Sequence, residues 1–109
     1  MINIAELCEI LSAKQQNLVD ANRNIVCGYA GDFLSFVIGK APTDSAWFTV
    51  MNNINVCAVA TLADVAVVVL CEGVKPDENL LAKAKLQNVN ILSTDYDIYT
   101  AVKLVSKSL

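Results

Sequence analysis

Between Ile54 and Cys71 the chain runs for 18 residues with a single charge, Asp64. No other feature narrows the choice of folds as much. A stretch of that length and apolarity either crosses a bilayer as a helix or lies inside a water-soluble core. Its texture favours the core. Before Asp64, NINVCAVATLA is rich in alanine and small residues, as in a helix packed closely on a sheet. After it, Val65-Ala66-Val67-Val68-Val69-Leu70 is a short β-branched run closed by Glu72-Gly73, the pattern of a strand buried on both faces of a parallel sheet. Asn55 and Asp64 within the stretch, with no Lys or Arg close beside it, fit a spanning helix poorly. The expectation is a helix followed by a central strand, and no membrane association.

The same alternation continues to residue 109. Pro76, Asp77 and Glu78 suit the first turn of a helix that carries Leu80, Leu81 and Ala84 and exits near Gln87-Asn88. Val89-Asn90-Ile91-Leu92-Ser93 reads as a short strand. Thr94-Asp95-Tyr96-Asp97 resembles a capping box, and Ile98, Ala101, Val102 and Val105 follow at helical spacing. Toward the start, Ile4, Leu7, Cys8 and Leu11 place an apolar stripe on a helix over about residues 3–13. Gln15 to Arg23 is polar and reads as a loop, with at most a short strand at Leu18-Val19. Ile25 to Gly31 reads as a strand, with Asp32 as the N-cap and Gly39 as the C-cap of an apolar helix over 33–38. Ala46 to Met51 is the next strand.

Strands that alternate with helices imply parallel pairing and crossovers of one hand. The predicted fold is therefore α/β: a single-domain layered sandwich over residues 1–109 with a mostly parallel central sheet flanked by helices. Such sheets bind ligands beyond the carboxyl ends of their strands. The candidate ligand contacts there are Gly31, Asp32, Thr49, Asn53, Asn55, Glu72, Gly73, Thr94 and Asp95. Ordinary turn and capping chemistry accounts for the same residues.

Composition removes several functions. Hydrophobic residues make up 55% and charged residues 17%, which excludes disorder and suggests that a second subunit covers some apolar surface. The net charge is −3 and the lysines are scattered, so there is no basic patch for a nucleic-acid backbone. The start, MINIAELCEILSAK, lacks the basic head, apolar run and cleavage site of a signal peptide. Cys8, Cys27, Cys57 and Cys71 form no C-x-x-C pair, and there is no histidine, so no metal site is expected. The cysteines read as reduced thiols of a cytoplasmic protein, with redox or cluster chemistry as the lesser alternative.

Five pieces together carry a resemblance: G-D-F-L-S at 31–35, A-W-F-T at 46–49, N-I-N-V-x-A-V-A at 53–60, E-G-V at 72–74, and A-K-x-x-N-V-x-I-L-S-T at 84–94. The sequence resembles the DRTGG domain family, specifically its short stand-alone members, over a core of about residues 25–109. It departs from the family at the Asp-Arg-Thr-Gly-Gly signature, which is absent as such. Asn24 to Gly28, preceded by Arg23, is the nearest stretch.

The resemblance implies an accessory domain. Related domains lie beside cystathionine-β-synthase-type pairs in regulatory pyrophosphatases, where they contribute to dimer contacts, and in some phosphotransacetylases. The fold is similar to the N-terminal domain of HPr kinase/phosphorylase, which is why a serine-kinase label attaches to such sequences. Short members occur near iron-only hydrogenase or electron-transfer components, which implies a protein partner in energy or electron-transfer metabolism.

The residues do not support a kinase. Gly28, Gly31, Gly39 and Gly73 never make G-x-x-x-x-G-K-[ST], and Gly39-Lys40 is followed by Ala41-Pro42. Without histidine there is no Ser-His or Cys-His nucleophile pair, so no catalytic residue is assigned. Two functions of different kinds are expected. One is a non-catalytic regulatory or interaction domain that works as a homodimer, with Phe33, Phe36, Val37 and Trp47 as contact residues. The other is a sensor of a small ligand, an adenine nucleotide, at the strand ends; no other cofactor is expected.

Overall fold

Val67–Leu70, the heart of the valine-rich run, is a four-residue strand buried along its whole length. Its side chains alternate between two separate cores. Val67 and Val69 point into one, and Val68 and Leu70 into the other. A strand in that position needs a hydrogen-bonded neighbour on each edge and a helical layer on each face.

The computed structural model describes all 109 residues and supplies both. In chain order the elements are β1 (Ile2–Asn3), α1 (Ile4–Ile10), β2 (Lys14–Asn17), β3 (Asn24–Ile25), β4 (Cys27–Ala30), α2 (Leu34–Lys40), β5 (Ser45–Thr49), α3 (Asn55–Ala63), β6 (Val67–Leu70), α4 (Glu78–Gln87), β7 (Ile91–Ser93) and α5 (Ile98–Ser106). Five strands form one sheet in the order β2-β7-β6-β5-β4. β4, β5, β6 and β7 run parallel, and β2 lies antiparallel against β7. β1 and β3 pair separately as a two-stranded ribbon.

Each crossover from β4 to β7 advances the sheet by one strand in the same direction. Crossovers of one hand then place α2, α3 and α4 on a single face. Val37, Val56, Leu80 and Ala84 from these helices pack with Trp47, Val68 and Ile91 of the sheet. The opposite face is covered by α1 and α5, through Ile4, Leu7, Ala101 and Val105 against Phe48, Val69 and Leu92. The result is the α/β layered sandwich expected from the sequence, and no helix is long and apolar enough to cross a membrane.

Several local expectations are corrected. The polar stretch after α1 is not a loop. Lys14–Asn17 is an edge strand, bulged at Gln16, and Leu18-Val19 forms no strand. The strand expected over 25–31 is split: Asn24–Ile25 turns to pair with β1, while Cys27–Ala30 enters the main sheet. Asp32 does not cap α2. The N-cap position is Phe33, with no side-chain bond, and Gly39 lies inside the helix, which ends at Ala41. Thr94 does not cap α5 either; Asp97 does, accepting from the Thr100 amide at 3.1 Å.

The two margins of the sheet differ. β2, of sequence KQQN, is polar and bulged. β4, of sequence CGYA, carries no charge, proline or bulge. Those are the features by which edge strands usually resist pairing with other chains.

At the amino-terminal pole Asp44 and Asp64 both adopt left-handed backbone, φ 63° and 55°. Arg23 holds them together. Its Nε and Nη2 donate to Asp44 Oδ1 at 3.0 and 2.8 Å, and Nη2 also reaches Asp64 Oδ1 and the Asp64 carbonyl, each at 3.1 Å. Burial alone would lower the Arg23 pKa. The hydrogen bonds and charges of the two aspartates outweigh it, and the guanidinium is held above its ordinary value. This clamp fixes the entries to β5 and β6. Arg23→Ala is expected to lower unfolding free energy by about 1–2 kcal/mol, toward the low end because the Asp64 side chain is 63% exposed. Urea unfolding in low and high salt would measure it, with a smaller difference in high salt.

Candidate functional site

The carboxyl ends of the four parallel strands meet at one pole, and the residues expected to bind a ligand are there. Most are bonded to one another. Asp32, just past β4, accepts from Thr49 Oγ1 at 2.6 Å and from the Val50 amide at 3.0 Å, which ties the exit of β4 to that of β5. Trp47 Nε1 donates to the Gly31 carbonyl at 2.9 Å, the partner that a buried indole requires. Asn53 Oδ1 accepts from the Asn55 amide at 2.9 Å at the start of α3. Asn52 Nδ2 reaches the Lys75 carbonyl at 2.8 Å, and the Asp77 amide returns to the Asn52 carbonyl at 3.1 Å.

The exits of β6 and β7 are joined by backbone. Glu72 and Gly73 are consecutive left-handed residues, φ 63° and 70°. That conformation lets the Glu72 amide donate to the Tyr96 carbonyl at 2.8 Å and the Gly73 amide to the Thr94 carbonyl at 2.9 Å. Thr94 is buried, and its hydroxyl donates to the Leu11 carbonyl at 2.8 Å. A Cβ at position 73 would lie 3.3 Å from Asp95 Oδ1.

The pole is thus divided. Gly31, Asp32, Thr49, Asn53 and Asn55 belong to the β4–β5 side, and none of them lines a cavity. On the other side Gly73 and Asp95 line a cleft of about 40 Å³ with Ser12, Lys14, Lys75 and Ser93. Glu72 is exposed beside it, and Thr94 is turned away into the core. Ser12, Lys14 and Lys75 are not expected from the sequence, and Ser93 is legible there only as a polar residue at a strand end. Lys14 and Ser93 face each other across β2 and β7, a pairing hidden while residues 15–23 read as a loop. Lys75 is set beside the cleft by the turn at Glu72-Gly73, whose signal, an acidic residue and glycine after a β-branched run, was visible.

Two other concavities exist. One, of about 160 Å³ at the amino-terminal pole, adjoins Arg23 and Asp64. The other, of about 270 Å³ and mostly apolar, lies between β4 and α5.

The expected contact residues also separate. Phe33 and Phe36 are exposed, 62% and 53%, and stack edge to face with centroids 4.8 Å apart. Lys40 Nζ sits 5.0 Å from the Phe36 ring centre. Val37 and Trp47 are fully buried in the chain's own core, so the expectation that they meet a partner is corrected. An aromatic in a strand reads the same whichever face it takes, and position 47 faces α2 and α3.

The four thiols are free. No group of three or more Cys, Asp or Glu side chains is placed to hold a metal. Burial, reinforced by the Glu72, Asp97 and Asp32 carboxylates, pushes the Cys71 thiol up to about 11. Burial also raises Cys8 and Cys57.

The family model described as the DRTGG domain matches residues 6–108. The chain belongs to the DRTGG domain family. A crystal structure of the CBS and DRTGG domains of the regulatory region of Clostridium perfringens pyrophosphatase, complexed with its activator diadenosine tetraphosphate, is similar in fold. The TM-score is 0.76 at 17% identity, over 98% of this chain and 47% of that one. The DRTGG chain described here thus spans about half the length of that structure, and at this identity the likeness concerns the fold. No curated protein matches the sequence.

Two outcomes are expected from this geometry. Gly73→Ala forces a side chain into left-handed backbone beside Asp95 and should cost about 1–2 kcal/mol in urea unfolding. A thiol reagent at pH 8 should leave Cys57 and Cys71 unlabelled until denaturant is added, because both are fully buried and their thiols stay protonated.

Proposed function

We propose that this DRTGG domain is a non-catalytic regulatory module that acts by associating with a second copy of itself through α2. The observation that carries this reading is the outward face of that helix. Phe33 and Phe36 are exposed side by side and Ile38 is exposed on the other flank, while Val37 between them anchors the helix to the core. A monomer that leaves two stacked phenylalanines in water gains nothing from them; an interface gains both burial and ring packing. Lys40, already over the Phe36 ring, is the only charge on the helix. The helix belongs to the β4 end of the sheet, where the uncharged margin also lies. A two-fold arrangement there sets apolar surface against its own copy, the self-complementarity that such interfaces require. Membership of a family found in the regulatory region of a pyrophosphatase supports the regulatory part of the reading.

A second reading, a sensor for an adenine nucleotide, is favoured by a different observation. The cleft at the exits of β6 and β7 is lined by no hydrophobic residue and lies where α/β sheets bind ligands. The similar regulatory region is complexed with diadenosine tetraphosphate.

Sedimentation velocity is expected to show a dimer at micromolar concentration, and Phe33→Ala/Phe36→Ala to shift it to monomer with little change in thermal midpoint. A wild-type chain that stays monomeric at several hundred micromolar would end the first reading. Calorimetry with an adenine nucleotide panel tests the second, and neither heat nor a melting shift at millimolar nucleotide would remove it.

A further inference from the structure

The cleft lined by Ser12, Lys14, Gly73, Lys75, Ser93 and Asp95 contains no hydrophobic residue. Its groups come from three separated segments: the turn after α1 with the start of β2, the turn after β6, and the end of β7. Lys14 and Ser93 are direct partners in the antiparallel β2–β7 register, so their side chains share one face of the sheet. The bulge at Gln16 re-aims that side chain, whose Nε2 donates to Ser93 Oγ at 2.8 Å. Ser93 is 6% exposed, its oxygen is already an acceptor, and its own proton has no acceptor in the chain. A nearly buried donor is therefore left over at the wall of a polar cleft.

The charges converge on the same point. Both ion pairs of the chain belong to Arg23 at the opposite pole, so Lys14 and Lys75 are unpaired. Among the lining residues two cations face one carboxylate, Asp95, with Glu72 exposed just outside, in a protein whose net charge is −3. The lining itself holds one more cation than anion, which draws small anions into the cleft. At about 40 Å³ the space is too small for a nucleoside, for which pockets of about 300 Å³ or more are usual. It leaves room for a small terminal group, with the rest of a molecule left outside.

We propose that this cleft is a binding site for a single phosphate group, free or at the end of a small phosphate ester. Lys14 and Lys75 supply charge, and the Ser93 hydroxyl supplies the buried hydrogen bond. Asp95 opposes the anion and keeps the affinity modest. The inference rests on the ligand-sensing reading and deepens it by placing the phosphate and leaving the base outside the cleft.

The experiment is amide-resolved NMR titration of the whole chain with inorganic phosphate, ATP and adenosine, at matched ionic strength against chloride. Saturable shifts centred on Ser12, Gly73, Lys75 and Ser93 are expected with phosphate and with ATP. Lys14→Gln/Lys75→Gln, both at exposed positions, should weaken them at least tenfold with an unchanged melting curve. Asp95→Asn should strengthen them several-fold, a gain of affinity that simple damage to the fold would not produce. Shifts with the same midpoint in the double variant, or no saturable shift at the cleft with either phosphate compound, would overturn the proposal. ATP shifts confined to another surface would overturn it while leaving the sensing reading in place. Binding of phosphate here, with ATP no tighter and adenosine inert, would keep it and remove the adenine reading.

Discussion

Four residues, Val67 to Leu70, set the terms for the rest of the molecule. They are buried on both faces and both edges, so no backbone or side chain of β6 meets water. A strand in that situation is stable only as an interior member of a sheet with helices above and below. The chain supplies β5 and β7 as parallel neighbours, α3 and α4 on one side, and α1 and α5 on the other. Parallel neighbours require crossovers, and the crossovers fix which helix covers which face. The 18-residue stretch that first suggests a membrane span is one such helix and the strand it leads into.

The two poles of the sheet then take different chemistry. At the amino-terminal pole one guanidinium binds two left-handed aspartates and closes the turns leading into β5 and β6. At the carboxyl pole polarity is spent unevenly. Between β4 and β5, Asp32, Thr49 and the Val50 amide satisfy one another. Between β6 and β7 the joining is done by backbone, through two consecutive left-handed residues. Side chains on that side are spared, and two lysines and a serine proton remain uncommitted.

The fold was legible because its signals are long-range in character but local in sequence. The β-branched run at 65–70 could be nothing but a central strand once Asp64 broke the helix before it, and Asp64 does end α3, in the left-handed conformation. The family was legible from short motifs spread along the chain, and its model extends further toward the start than those motifs do. What could not be read was whatever depends on a partner distant in sequence. Lys14–Asn17 has no apolar alternation because it is an edge strand, held by β7 some 75 residues later. Asp32 sits where an N-cap belongs, yet a threonine hydroxyl brought alongside by strand pairing is the better donor. Trp47 was assigned to a surface because sequence gives no face to an aromatic in a strand, and the indole lies under α2 and α3 instead. For the same reason only Gly73 and Asp95 of the expected ligand residues reach the cleft, and its lysines went unnoticed.

The unequal margins of the sheet carry a consequence for growth. A sheet open at both sides can be extended indefinitely, one chain after another, which is the route to fibres. Here one side ends in lysine, glutamines and a bulge, and the other in a smooth uncharged tetrapeptide. Growth through the smooth side would consume it in both molecules and leave only blunt polar margins, so this sheet offers no route to a fibre.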